Sequence, residues 1–227
     1  MPEATGRALA RGERDRPMRA PLPAERRRLQ SRAETRRAIL DATEALLVED
    51  GFEAFSMRRL AERCGYTAPT IYHHFGDKQK LIDELLEERC QTLLRSLRRV
   101  ALGDDPVENV RAMCLAFARF GLRNPTHYAL LSAPRQADVP PPPSAEAARE
   151  LMQGPLEGLA ASGRLPAGLD ATGQALWSFL HGFILLRTHR TDIEWCDDVL
   201  ETGVDALLRS LVAPGTAPAR PAPEPRR

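Results

Sequence analysis

The sequence predicts an all-α protein of about nine helices, with an N-terminal three-helix helix-turn-helix domain followed by a larger helical domain. Three observations carry this. Apolar residues recur at i, i+3 and i+4 nearly throughout the 227 residues, and no alternating β-branched run is long enough for a sheet. The stretch from Ser56 to Leu81 reads as a short helix, a glycine turn, a second short helix and the start of a longer one. The charge is uneven: residues 1–80 carry 16 Lys and Arg against 12 Asp and Glu, a net of +4, whereas residues 81–227 carry 16 against 19, a net of −3. A basic front half and an acidic rear half fit a nucleic-acid-binding head on a body that avoids nucleic acid.

Taken in order, residues 1–30 hold many Arg with Pro and Gly and little apolar periodicity, so they are expected to be a disordered basic tail. A solvated tail is the first reading, and an arm adding phosphate contacts is the second. Ser31-Arg32-Ala33-Glu34 forms a capping box that opens the first helix, with Ile39, Leu40, Thr43, Leu46 and Leu47 as its buried stripe and Gly51 as its left-handed end. Ser56 caps the second helix, which runs to about Cys64 with Leu60, Ala61 and Cys64 inward. Gly65 makes the turn, Thr67 caps the third helix with Pro69 in its first turn, and Ile71 and Phe75 anchor it to the core. These elements set the helix-turn-helix domain at residues 31–80.

The second domain is expected over residues 81–213. Asp77 caps a long fourth helix whose stripe runs from Leu81 to Val100, about 30 Å in length and enough to join head and body. Asp105-Pro106 opens a fifth helix, and Asn124-Pro125 opens a short sixth. Pro134 and the run Pro140 to Pro143 read as an extended, polyproline-like linker. A seventh helix within 144–162 is expected to be interrupted or bent near Gly154-Pro155. Asp170 opens an eighth helix, apolar nearly all round from Ala175 to Leu186 and therefore buried on more than one side. The ninth runs from about Glu194 to Val212 with Cys196 in its stripe, and residues 214–227 are a disordered Pro, Ala and Arg tail.

Several function classes find no support. Cys64, Cys90, Cys114 and Cys196 are scattered without a C-x-x-C pair, so neither a zinc site nor a disulfide framework is expected. No apolar run is long enough for a bilayer and the Arg-rich start lacks a secretory signal, so the expected location is the cytoplasm. His181, His189 and Cys196 share no catalytic spacing, and no paired acid and base or phosphate loop is present, so neither an enzyme nor a cofactor is expected.

Three blocks carry a closer identification: Thr35-Arg36-Arg37-Ala38-Ile39-Leu40-Asp41-Ala42; Gly51 to Ala61; and Gly65 to Phe75 followed by Asp77-Lys78. Together they resemble, without a gap over about residues 33–82, the N-terminal domain of the tetracycline-repressor (TetR) family. Tyr66 stands where that family usually has Val. The resemblance implies a homodimeric transcriptional regulator, most simply a repressor, that binds a palindromic DNA operator and is released by a small-molecule effector. A regulator or activator without such an inducer is the alternative.

On this reading Thr67, Ala68, Pro69, Thr70 and His73 of the third helix face base edges. Tyr72 and His74 face phosphates, as do Ser56 and Arg58 at the start of the second helix. Lys78 matches the family's backbone-contacting lysine. Structural alternatives stand beside these: Tyr72 in the core, His74 solvated, Arg58 in a helix salt bridge. Trp177-Ser178-Phe179-Leu180-His181-Gly182 resembles the Trp-x-x-x-His-Gly element of one subgroup of the family's C-terminal domains. Trp177 and His181, on one helix face, are expected to wall a pocket lined by Met113, Phe117, Phe120 and Tyr128, with a plain packed core as the alternative. That lining suggests a hydrophobic or aromatic effector, and Gly182 suggests a close helix approach. The eighth and ninth helices, with their symmetry mates, would form a four-helix dimer interface.

Overall fold

The computed structural model describes residues 23–133 and 140–214. The tail at 1–22, Pro134 and the tail at 215–227 lie outside them. All regular structure among the described residues is helical: α1 (Pro23–Ala54), α2 (Met57–Cys64), α3 (Ala68–Phe75), α4 (Lys78–Leu97), α5 (Pro106–Arg123), α6 (Pro125–Ser132), α7 (Pro143–Ala161), α8 (Gly168–His189) and α9 (Val199–Leu211). The described residues divide into two units at the junction of Arg37 and Ala38. The first contributes the opening turns of α1, which are mostly exposed.

Four boundaries differ from expectation. First, α1 starts at Pro23, so Ser31 lies inside it rather than capping it. Pro23 suits a first helical position, and the Ala-Glu-Arg-Arg-Arg-Leu-Gln run that follows consists of good helix formers. Second, α7 continues through Pro155 without a break, held by the buried Leu156 and Leu159 on the turn that follows. Third, α8 begins at Gly168, which makes Asp170 a first-turn acid and not the cap. Fourth, α9 begins at Val199. The segment before it folds Trp195 edge-on to Phe183, with ring centroids 6.2 Å apart, and leaves Cys196 exposed. Gly51 does break the helical path of α1, at φ 81°.

Three core clusters position everything else. The head core joins Ile39, Leu40, Leu46 and Leu47 of α1 to Leu60, Ile71 and Phe75. It also takes in Leu81, Ile82, Leu85 and Leu86 of α4 and Leu130 of α6. The body core is built by α5 to α9 around Ala118, Leu159, Leu180, Ile184 and Val204. Farther along α4, Leu94 and Leu97 pack with Met113 and Ala148. The single helix α4 thus supplies side chains to the head with its first half and to the body with its second. Glu87 reinforces the second link, accepting hydrogen bonds from the Ser144 amide (3.1 Å) and hydroxyl (2.6 Å) at the start of α7.

Candidate nucleic-acid interface and ligand cavity

The helix-turn-helix is fixed by local chemistry. Ser56 has extended backbone, and its hydroxyl accepts from the Arg59 amide (3.3 Å), capping α2. Gly65 takes the left-handed conformation at φ 71° that turns the chain into α3. Thr67 caps α3 through the Thr70 amide, and the two threonine hydroxyls lie 2.9 Å apart. Asp77 accepts from the Lys80 amide (2.8 Å) and caps α4.

Burial sorts the side chains of α3. Ile71 and Phe75 are sealed in the core. Thr67, Pro69, Tyr72 and His73 are exposed, while Ala68, Thr70 and His74 are half-buried. Tyr72, at 46% exposure, is therefore not a core residue. Every residue expected to read or grip nucleic acid on α3 has surface outside the core. Arg58 is almost fully exposed and stands 3.8 Å from Glu62. Its neighbours are engaged: Arg59 pairs with Asp50 (2.9 Å), and Arg63 forks onto Glu49 (2.7 and 2.9 Å). Lys78 has a structural bond that sequence reasoning missed. Its ammonium donates to the Phe55 carbonyl (2.6 Å) and lies 5.4 Å from the centre of the Phe55 ring.

The most consequential omission is Arg89 on α4, which is 1% exposed. It pairs with Glu44 (3.0 Å) and Asp41 (2.7 Å) of α1 and with its neighbour Glu88 (2.8 Å). His127 of α6 comes within 3.5 Å of Glu44. Burial alone would lower the Arg89 pKa; the Glu44 and Asp41 carboxylates outweigh it, and the net shift is upward. The cue was present in the sequence: Arg89 occupies the phase of Ile82, Leu85 and Leu86, and Glu44 that of Leu40 and Leu47, where apolar residues belong.

A cavity of about 630 Å³ opens among α4, α5, α6, α7 and α8. All six residues expected to bind a ligand line it: Met113, Phe117, Phe120, Tyr128, Trp177 and His181. Met113, Phe120 and Tyr128 are buried, whereas Trp177 is 61% exposed. His181 is the centre of an aromatic group, with ring centroids 4.4 Å from Trp177, 5.4 Å from Phe117 and 5.5 Å from Tyr128. Its Nδ1 is hydrogen-bonded to the Tyr128 hydroxyl at 2.8 Å. Burial pushes the Tyr128 phenol up to about 12 and holds His181 below its ordinary value.

Two glycines behave unlike the expectation for Gly182, where a Cβ would meet nothing within 4 Å. The close approaches are at Gly121, whose Cβ would lie 2.9 Å from Ile184 Cδ1, and at Gly203, whose Cβ would lie 2.2 Å from Phe179 Cζ. Within the chain, α8 is buried on one side only; Trp177, Leu185 and Leu186 are exposed on the rest of its surface.

A helix-turn-helix head tied by one long helix to an all-helical body with an internal cavity defines a class of DNA-binding regulators. Residues 39–85 match the model for bacterial regulatory proteins of the tetR family, and residues 110–211 match the tetracyclin repressor-like C-terminal domain. The chain belongs to the TetR family of bacterial regulatory proteins.

Among curated relatives, the HTH-type transcriptional regulator UidR of Escherichia coli K12 is 30% identical over 111 residues, covering 43% of this chain and 57% of that protein. The HTH-type transcriptional repressor KstR of Mycolicibacterium smegmatis is 33% identical over 97 residues, 42% of this chain and 48% of that one. The chain thus spans about half the length of the curated relatives it matches. A TetR family transcription regulator from Marinobacter aquaeolei superposes with a TM-score of 0.68 at 19% identity, covering 83% of this chain and 100% of that one. The TetR family transcriptional regulator PfmR from Thermus thermophilus gives a TM-score of 0.57 at 24% identity, covering 75% of this chain and 97% of that one. These two likenesses concern the fold.

Proposed function

We propose that this chain is a homodimeric transcriptional repressor that binds a palindromic operator and releases it when a hydrophobic or aromatic effector enters the body. The observation that carries the reading is the division of α4, which packs in the head through Leu81 to Leu86 and lines the cavity through Cys90, Leu93 and Leu97. A ligand pressing on those last three residues acts on the helix that begins immediately after α3. Such a shift alters the separation of two α3 helices in a dimer, and half-site spacing is a strict requirement of helix-turn-helix binding.

The α3 surface supplies the readers, Thr67, Ala68, Pro69, Thr70 and His73. Tyr72, His74, Ser56, Arg58 and Lys78 supply phosphate contacts, the last with the donor capacity its bond to Phe55 leaves free. Residues 31–80 and 81–213 are the working domains of this scheme. The exposed Leu185 and Leu186 of α8, together with α9, supply the dimer contact. The proposed place of action is the cytoplasm, where a bacterial operator lies. No helix among the described residues is long and apolar enough to cross a membrane.

Genome-wide binding-site mapping tests the reading: it is expected to return a palindrome, and sedimentation is expected to show a dimer at micromolar concentration. A monomer, or binding without a recurring half-site pair, sinks it.

A further inference from the structure

The charge distribution of the cavity narrows the ligand further, and this step rests on the effector reading above. The deep lining is uncharged: Leu97, Met113, Cys114, Phe117 and Leu180 are typical of it. The charged lining residues are Arg149 and Asp170, both exposed, and Arg149 is already forked onto Glu146 and bonded to Gln153. An ionised group carried inside would lose its water and find no counter-charge, which is strongly unfavourable. Among the uncharged polar lining residues, Ser132 and Gln174 are exposed and Gln153 is bonded to Arg149, which leaves the Tyr128 hydroxyl and the His181 imidazole, 2.8 Å apart, as the polar pair of the buried and half-buried lining. With Nε2 protonated, the pair offers Nε2–H as donor and the Tyr128 oxygen as acceptor; with Nδ1 protonated, Nε2 is the acceptor and the Tyr128 hydroxyl is a donor that also reaches the His181 carbonyl at 3.5 Å. The rings of Phe117 and Trp177 flank His181 in the same aromatic cluster, which suits a flat aromatic body.

We propose that the cavity takes an uncharged, ring-bearing molecule whose single hydroxyl or carbonyl group hydrogen-bonds to the Tyr128–His181 pair. Discrimination is then by charge at the depth of the site, while one hydrogen bond sets the orientation. Burial lowers the basicity of His181 and so favours its neutral form, in line with this assignment.

The test uses the full chain and four probes built on one bicycle, titrated by calorimetry at pH 7: 2-naphthol, 2-naphthoate, 2-naphthylmethylammonium and naphthalene. 2-Naphthol is expected to bind at least about tenfold more tightly than either ion. Tyr128→Phe is expected to weaken 2-naphthol by about three- to tenfold, the worth of one hydrogen bond, and to leave naphthalene unchanged. Naphthalene also reports that the variant's cavity is intact. Equal or tighter binding of either ion overturns the proposal, as does an equal loss for 2-naphthol and naphthalene in Tyr128→Phe. Failure of all four probes to bind overturns the proposal and the effector reading together, whereas tight binding of an ion that releases DNA overturns only the former.

Discussion

Arg89 of α4 and Glu44 of α1 form an ion pair at 3.0 Å with side chains only 2% and 6% exposed. One Glu44 oxygen, Oε1, has no hydrogen-bond partner among the described residues, and the other faces the Arg89 guanidinium at 3.0 Å and His127 at 3.5 Å, so the guanidinium is the permanent counter-charge of this carboxylate. A pair like this contributes little net stability against an apolar replacement, but losing one member leaves a buried charge uncompensated. Arg89→Met is therefore expected to destabilise the chain by about 3–5 kcal/mol in urea unfolding. The double variant Arg89→Met with Glu44→Leu is expected to regain most of that. Equal losses in single and double variants would show that the cost is packing rather than charge.

Lys78 carries two roles that separate experimentally. Its ammonium holds the Phe55 carbonyl, a charge-assisted bond across the α1–α2 connection. Lys78→Ala is expected to cost about 1.5–3 kcal/mol of stability through that bond. It is also expected to weaken operator binding for all sequences and to lower the salt slope by about 1, the signature of one lost phosphate contact. Loss of stability with an unchanged slope would assign Lys78 to the fold alone.

Thr70 sits on α3 with its hydroxyl 2.9 Å from that of Thr67. Thr70→Val keeps the shape and the methyl group but removes the polar atom. The expected outcome is a changed ranking of operator variants at one base-pair position, by about 1–3 kcal/mol, with little change in salt dependence. Selection from randomised half-sites reads this directly, and an unaltered consensus removes Thr70 from the readers.

These sites differ in how visible they were before folding. Ser56, Gly65, Thr67 and Asp77 act through neighbours within a few residues, so the turn and its flanking caps were readable from spacing alone. The cavity residues were readable too, because Trp177 and His181 share a helical face. Their partners Phe117 and Tyr128 required the family's architecture. What stayed hidden depends on long-range pairing. Arg89 and Glu44 are separated by 45 positions, and local periodicity marks each as odd without naming the other. The start of α1 was missed for the opposite reason: a plausible capping box at Ser31 outranked a helix-forming run that needs no cap.

Gly203 shows the same dependence on tertiary contact. A Cβ there would fall 2.2 Å from Cζ and 2.7 Å from Cε2 of Phe179, joining α9 to α8 closer than any side chain allows. Gly203→Ala gains up to about 1 kcal/mol in helix propensity. The forced displacement of a packed ring costs about 1–3 kcal/mol, so the net effect is expected to be destabilising. Phe179→Leu in the same chain is expected to recover part of the loss. A rise in melting temperature for Gly203→Ala alone would mean that the two helices separate at little cost.

The Arg111–Asp205 pair ties α5 to α9 at 2.6 Å, and it gives the fold an acid-sensitive link. The hydrogen bond from Arg111 holds the Asp205 carboxyl below the ordinary carboxylate range. A depressed folded-state pKa means that the unfolded chain binds the proton more readily. The contribution is thus present above the unfolded value of about 3.9 and is lost as pH falls through the lower folded value. Both side chains are about one-third exposed, so solvent screening limits the gain to under about 1 kcal/mol. Asp205→Asn is expected to lower stability by that amount at pH 7 and to converge with the unsubstituted chain near the acid limit. A difference that stays constant with pH would mean that Asp205 acts through shape and not through its charge.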